Sequence, residues 1–232
     1  NPTYDPWNNS YLNFNSFDAF PYGPSLFIFL LPFFYLGNFI GISMTFSYGL
    51  ALLFADSLCL YLLTLFLKNN SKDINIYIYL YWFNPVIILG LYLLGLNDSI
   101  PILFLLISIL FLKKEKYYNS YLFYFFAILA KFPIVVTFPF FLIFFINRKQ
   151  IRSTLIQNLV GFIGAIFLTL CVIYSSSGLY KMLSESSEIG NLLEFGYVLG
   201  SINYFITPIL IGLLVFRIFK FRLINFKILY SG

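Results

Sequence analysis

Long apolar runs separated by short polar turns set the pattern of this chain. A bilayer-crossing helix needs about 20 apolar residues. Residues 24–42, 48–67, 74–96, 121–146, 155–174 and 202–219 are runs of roughly that kind. The first can kink at Pro32, the third is interrupted at Asn84-Pro85, and the run over 121–146 is broken at Lys131-Phe132-Pro133. Residues 100–112 are too short to cross alone. The pattern predicts an all-α fold: a polytopic transmembrane helical bundle with short or broken helices in the middle. It is read as a single membrane domain. An outer loop covers 1–23, a helical core with the candidate site covers 24–174, a second outer loop covers 175–200, and a last span with a basic tail closes 201–232.

Composition strengthens that reading. The chain is 60% hydrophobic and 10% charged, with a mean hydropathy of +0.87. A soluble domain carries about 25% charged residues, so the polar surface needed to cover a water-facing globule is missing. The net charge of +5 sits in short clusters between apolar runs. It therefore reads as an orientation signal and as contacts to lipid phosphates, not as a nucleic-acid surface. Arg148, Lys149 and Arg152 mark one cytoplasmic turn, and Arg217, Lys220, Arg222 and Lys227 a cytoplasmic tail. Asp5 and Asp18 place the opening loop outside, and Glu185, Glu188 and Glu194 against Lys181 place residues 175–200 on that same side. Three full crossings between Asp73 and Arg148 would put the Lys113–Lys116 turn outside, against the rule. The topology of the middle is thus left open, and partial-depth helices are expected there. Such irregular backbone is tolerated only beside protein or a watery cavity, which makes this region the expected location of a site.

The absence of histidine excludes a His-based triad, a His-bound zinc site and a His proton shuttle. Cys59 and Cys171 lie inside separate apolar runs and read as small hydrophobic residues, not as a disulfide or metal pair. The opening stretch has no initiator Met, basic segment or small-residue cleavage site, so the chain reads as a fragment lacking its true start.

The chemistry then rests on the exceptions to apolar character. Asp98 lies about 17 residues before the turn centred near Glu115, and Lys131 about 16 after it. In an antiparallel hairpin rising ~1.5 Å per residue, the two reach similar depths. One reading is a buried ion pair that holds the hairpin together. The other is a site in which Lys131 meets an anionic headgroup and Asp98 orients a hydroxyl, since ionisable groups at membrane depth are costly and suggest function. Asn84-Pro85 removes a backbone donor inside a span; it is a kink, or else its freed carbonyls and amide line a pocket. Asp56, beside Ser57, is as readily a helix-packing contact as a site. Trp7 and Tyr22, and the aromatic cluster Tyr77, Tyr79, Tyr81 and Trp82, suit the membrane interface, with carbohydrate stacking as the functional alternative for the cluster.

Three stretches together resemble GT-C-type membrane glycosyltransferases that use polyprenyl-phosphate sugars, in their mannosyltransferase-like branches. Asn1-Pro2 through Trp7 and Phe20-Pro21-Tyr22-Gly23-Pro24 are similar to the loop that precedes a helix in these enzymes. Asn84-Pro85 followed by Gly95-Leu96-Asn97-Asp98-Ser99 is similar to their NP and acidic stretch, with Leu96-Asn97 where one branch has Gly-Gln. Ala130-Lys131-Phe132-Pro133 is similar to the lysine helix that follows. The likeness covers roughly residues 1–145. It implies transfer of mannose or another hexose from a polyprenyl-phosphate donor to a glycan, lipid or protein acceptor, at the outer face of a bacterial inner membrane. Tyr22, Asn84, Asp98 and Lys131 are then the substrate and phosphate side. The family's catalytic acid falls upstream of Asn1, which leaves Asp5 as a fallback. A divalent cation and its ligands stay open, and no nucleic-acid partner is expected. The competing reading is a transporter or flippase for lipid-linked or small polar substrates, because broken helices and charges at membrane depth also serve transport.

Overall fold

A computed structural model of the chain describes residues 8, 22–67, 74–141, 152–185, 198–199 and 202–203. Apart from one short ladder, its described elements are helices. The chain divides into two compact units, one of Pro24–Phe132 with Phe226–Gly232, the other of Asn1–Gly23 with Pro133–Asn225.

The first unit begins with α1 (Pro24–Ile40) and α2 (Met44–Leu67). The turn between them is encoded locally. Gly41 takes φ +79°, a left-handed conformation that favours glycine, and Ile42 N–H returns to Gly37 O at 2.9 Å to close α1. Ser43 then caps α2 by accepting the Phe46 N–H at 3.3 Å. The two helices approach closely because Gly37 has no side chain: a Cβ there would stand 1.8 Å from Ser47 Oγ.

Next come α3 (Ile74–Trp82), a break at Phe83-Asn84, the single turn α4 (Pro85–Ile87) and a π-helical segment, Ile88–Leu93. Pro85 has no N–H to give, so Asn84 N–H takes the Tyr81 carbonyl at 3.2 Å instead. Gly95, at φ +67°, ends the π segment, and Leu96 N–H reaches back to Gly90 O at 3.0 Å. The interruption expected at Asn84-Pro85 is therefore a break with changed helical winding beyond it.

The α5 (Ser99–Lys113) and α6 (Tyr117–Ala130) helices form an antiparallel hairpin. In the turn, Lys116 N–H bonds Phe111 O at 2.9 Å and Glu115 sits at φ 58°. Inside the hairpin, Ser108 Oγ donates to Ser120 O at 2.8 Å and Ser120 Oγ to Ser108 O at 2.9 Å, both side chains fully buried. Small polar residues of this kind join helices where solvent offers no competing partner. At its end, α6 stops because Pro133 cannot donate to Leu129 O; Lys131 is extended and a 3-10 turn, Phe132–Thr137, follows. The break expected at Lys131-Phe132-Pro133 is present. Ala51, Ala55, Ala127 and Ala130 are buried together with Leu26, Leu52, Ile100, Leu103, Tyr124 and Ile128. These residues make the core of the unit, in which α2 packs on α1 and α5, and α1 also on α6. Ser25 Oγ ties the start of α1 to the Phe126 carbonyl of α6 at 2.8 Å.

In the second unit, α7 (Arg152–Ser175) is followed by α8 (Ser177–Glu185). Residues 175–200 were expected as a loop. A helix starts there because Ser176 Oγ accepts the Leu179 N–H at 3.0 Å, an N-cap, and Leu179 is fully buried. The last span was expected to begin at residue 202, but Ile202–Asn203 pairs antiparallel with Val198–Leu199. The rest of that span and the basic tail lie outside the described residues.

Among the described residues, two helices are long and apolar enough to cross a membrane, Met44–Leu67 and Ile156–Ser175 within α7. The α5 and α6 helices, at about 22 Å each by helical rise, fall short of a full crossing, as expected for the middle of the chain.

Candidate functional site

The first unit holds a cavity of about 360 Å³ walled by α2, α5 and the broken segment between α3 and α5. From α2 come Asp56, Cys59 and Leu63, three, four and seven residues apart and hence on one face. From the start of α5 come Asp98, Ser99, Ile102 and Leu106, again one face. Tyr81, Ile87, Gly90 and Leu96 close the third side. Cys59 Sγ donates to the Ser99 carbonyl at 3.4 Å and fixes the two faces level with each other.

At the start of α5 the expected pair is formed: Lys131 Nζ donates to Asp98 Oδ1 at 2.8 Å. Asp98 occupies the N-cap position, yet its carboxylate makes no cap bond to the helix and turns to the lysine instead. The Ser108–Ser120 contact explains the match. Stepping ten residues back from Ser108 and eleven on from Ser120 leads along the hairpin to Asp98 and Lys131, so one register sets both contacts. The Lys131 side chain is 18% exposed and that of Asp98 46%. The pair lies at a partly open position, where ligand can reach it.

Asp56, left open between a helix-packing contact and a site, lines this cavity. It is 2% exposed. Each of its oxygens accepts a phenol hydroxyl at 2.5 Å, Oδ1 from Tyr81 and Oδ2 from Tyr92. Tyr92 also stacks on Trp82, centroids 6.4 Å apart and planes 10° from parallel. Of the aromatic cluster expected at the interface, Tyr79 does face outward, 64% exposed. Tyr81, two residues on and so about 200° around the helix, turns inward to Asp56. A third phenol, Tyr48 of α2, donates to the Gly95 carbonyl at 3.0 Å. The broken segment is therefore fastened to α2 through tyrosine hydroxyls.

Two polar atoms beside the ion pair, Asn97 Oδ1 and Ser99 Oγ, are buried with no hydrogen-bond partner among the described residues. Leaving such an atom unsatisfied costs about 1–3 kcal/mol. Sequence reasoning placed Asn97 and Ser99 only as neighbours of Asp98.

The structure thus brings Asp98 and Lys131 together and adds Asp56, Tyr81, Tyr92, Asn97 and Ser99. Asn84 remains at the helix break, its carbonyl accepting from Ile87 and Ile88 N–H at 3.1 and 3.0 Å, so that carbonyl is used by the helix that follows. Tyr22 belongs to the other compact unit, and Asp5 lies outside the described residues. Among the described residues, no three His, Cys, Asp or Glu side chains gather where a metal ion could sit. Cys59 and Cys171 are both free thiols.

No family model, curated protein or solved structure matches the chain. The functional reading therefore rests on the motif residues and on the geometry of this cavity.

Proposed function

We propose that this chain is a polytopic membrane glycosyltransferase of GT-C-like architecture. It moves a hexose from a polyprenyl-phosphate donor to a hydroxyl of a glycan, lipid or protein acceptor. The observation that carries the reading is the Lys131–Asp98 pair beside a mainly aliphatic cavity.

Membrane residence is supported by where the apolar surface lies. A core helix of a soluble protein buries most of its apolar surface. The Met44–Leu67 helix has a hydropathy of 2.2 but only 33% of its most apolar window is buried, and for Ile156–Ser175 the figure is 28%. Large side chains such as Phe39, Met44, Phe46 and Phe54 point outward, which lipid tolerates and water does not. An outward-facing site is supported by the basic turns, which the positive-inside rule assigns to the opposite side.

In the reaction, the acceptor oxygen attacks the anomeric carbon, the bond from that carbon to the phosphate oxygen breaks, and the acceptor proton passes to a base. Lys131 stabilises charge as it gathers on the departing phosphate. Asp98, one oxygen held by Lys131, orients a hydroxyl of the sugar or acceptor. The proton acceptor is a carboxylate, for which Asp5 is the sequence candidate.

The break in the α3 segment, with its π-helical winding beside the cavity, favours a transporter or flippase as the second reading. One experiment separates them. The full-length chain is reconstituted in vesicles with polyprenyl phosphate bearing radiolabelled mannose or glucose. The expected result is label leaving the lipid for an acceptor, with about a 100-fold loss in Lys131→Ala. Intact lipid-linked sugar crossing the bilayer, with no label released, would overturn the transferase in favour of the flippase.

A further inference from the structure

The apolar part of α7, Ile156–Ser175, is 20 residues long. At ~1.5 Å per residue it spans about 30 Å, the thickness of a bilayer's hydrocarbon layer. Along it Ile156, Val160, Ile163, Phe167 and Leu168 are each more than half exposed, and their spacing of three to four residues makes one continuous apolar face. Tyr174, the last aromatic residue before the helix ends at Ser175, is 69% exposed. It stands about one layer thickness from the polar start of α7, Arg152-Ser153-Thr154, at the level where acyl chains give way to headgroups.

The chain turns there into α8. Ser175 Oγ donates to Val172 O at 2.7 Å and Ser176 N–H to Ile173 O at 3.4 Å, so these polar groups are used locally. Gly178 and Leu179 are buried and seat α8 against α7, whereas Ser177, Tyr180 and Lys181 are exposed. At 3.6 residues per turn the three exposed positions share one arc of the helix. Tyr180 stacks on Tyr174 with ring centroids 5.2 Å apart, so their depths in a bilayer differ by no more than that distance. The two rings form a single exposed aromatic patch that continues the lipid-facing side of α7 onto α8.

This composition fits one kind of surface. Tyrosine presents an apolar ring and a polar hydroxyl, which suits it to the boundary between hydrocarbon and water. Lysine beside it extends an aliphatic stem with its charge toward the headgroups. We propose that Tyr174 and the Ser177, Tyr180 and Lys181 arc of α8 dock in the headgroup and glycerol layer of a phospholipid bilayer. The segment after α7 is then a membrane-surface element that holds the helix at a fixed depth, and not a loop standing in water. The inference rests on membrane residence and is independent of the sugar-transfer reading.

The test places tryptophan at two positions of the full-length protein in phosphatidylcholine vesicles. The acyl chains carry bromine either near the glycerol end or near the methyl end, and each signal is read as the gain over the unaltered protein. Ile163 and Tyr180 are 52% and 44% exposed, so both variants are expected to keep the parent's thermal unfolding. Ile163→Trp, in the middle of the exposed α7 face, is expected to be quenched most by the deep bromines. Tyr180→Trp keeps an interfacial aromatic and is expected to be quenched about twofold more by the shallow bromines than by the deep ones. A Tyr180→Trp signal that neither lipid quenches, or that the deep bromines quench most, overturns the docking while Ile163→Trp still reports a spanning α7. Loss of the deep preference at Ile163→Trp overturns the span itself, and with it the docking.

Discussion

The α5 helix of the α5–α6 hairpin and the broken segment from α3 onward both line one cavity, yet the hairpin and the broken segment are held by different means. The hairpin is regular. Its turn is closed by backbone bonds, and its helices are locked by two fully buried serines that exchange hydrogen bonds. Every residue along it is placed by helical repeat, so Asp98 and Lys131 meet because Ser108 and Ser120 do. The broken segment has lost that repeat at Asn84-Pro85 and again in the π-helical turns. It is held by side chains instead, with Tyr81 and Tyr92 on Asp56 and the Gly95 carbonyl on Tyr48. A regular hairpin fixes charge at a defined depth, while a tethered irregular segment shapes the space facing it.

This contrast can be broken from either side. The largest effect is expected at the ion pair. Lys131→Ala should lower sugar transfer about 100-fold, and the double variant Asp98→Asn with Lys131→Met should recover thermal stability without recovering activity. Recovery of both would show that the pair serves only to hold the hairpin. Next is Asp56→Leu, which strands two phenol hydroxyls and is expected to destabilise the protein in detergent by about 2–4 kcal/mol. Tyr81→Phe and Tyr92→Phe should each cost about 1–2 kcal/mol, and the two should not add, because they share one carboxyl group. A neutral Asp56→Leu would mean that the broken segment is held by its apolar contacts.

Smaller effects sharpen the other side of the comparison. Ser108→Ala or Ser120→Ala should cost roughly 0.6–1.7 kcal/mol, the range for hydrogen bonds between membrane helices. The double variant should cost little more than either alone, since the bonds are reciprocal. The same substitutions should also weaken transfer through the register they set; an unchanged rate would detach the ion pair from the serine lock. Smallest is Glu115→Gly at the hairpin turn, where φ is 58°. Relief of left-handed strain, offset by the flexibility of glycine in the unfolded chain, should stabilise the hairpin by about 0.5 kcal/mol.

The sequence by itself determined what depends on local pattern. Apolar runs set the helices, Pro85 and Pro133 set two interruptions, and spacing about Glu115 placed Asp98 level with Lys131, because a helical hairpin converts residue count into depth. Local pattern also had limits close at hand: the Ser176 cap that starts α8 was read as loop. What only the tertiary structure decided depends on residues distant in sequence and joined by no regular repeat. Asp56 stands 25 residues from Tyr81 and 36 from Tyr92, and once the helix between them breaks, no periodicity says which tyrosine turns inward. Nor does the sequence say that Asn97 and Ser99 lose water without gaining a partner. Burial of that kind is decided by packing between elements far apart in the sequence.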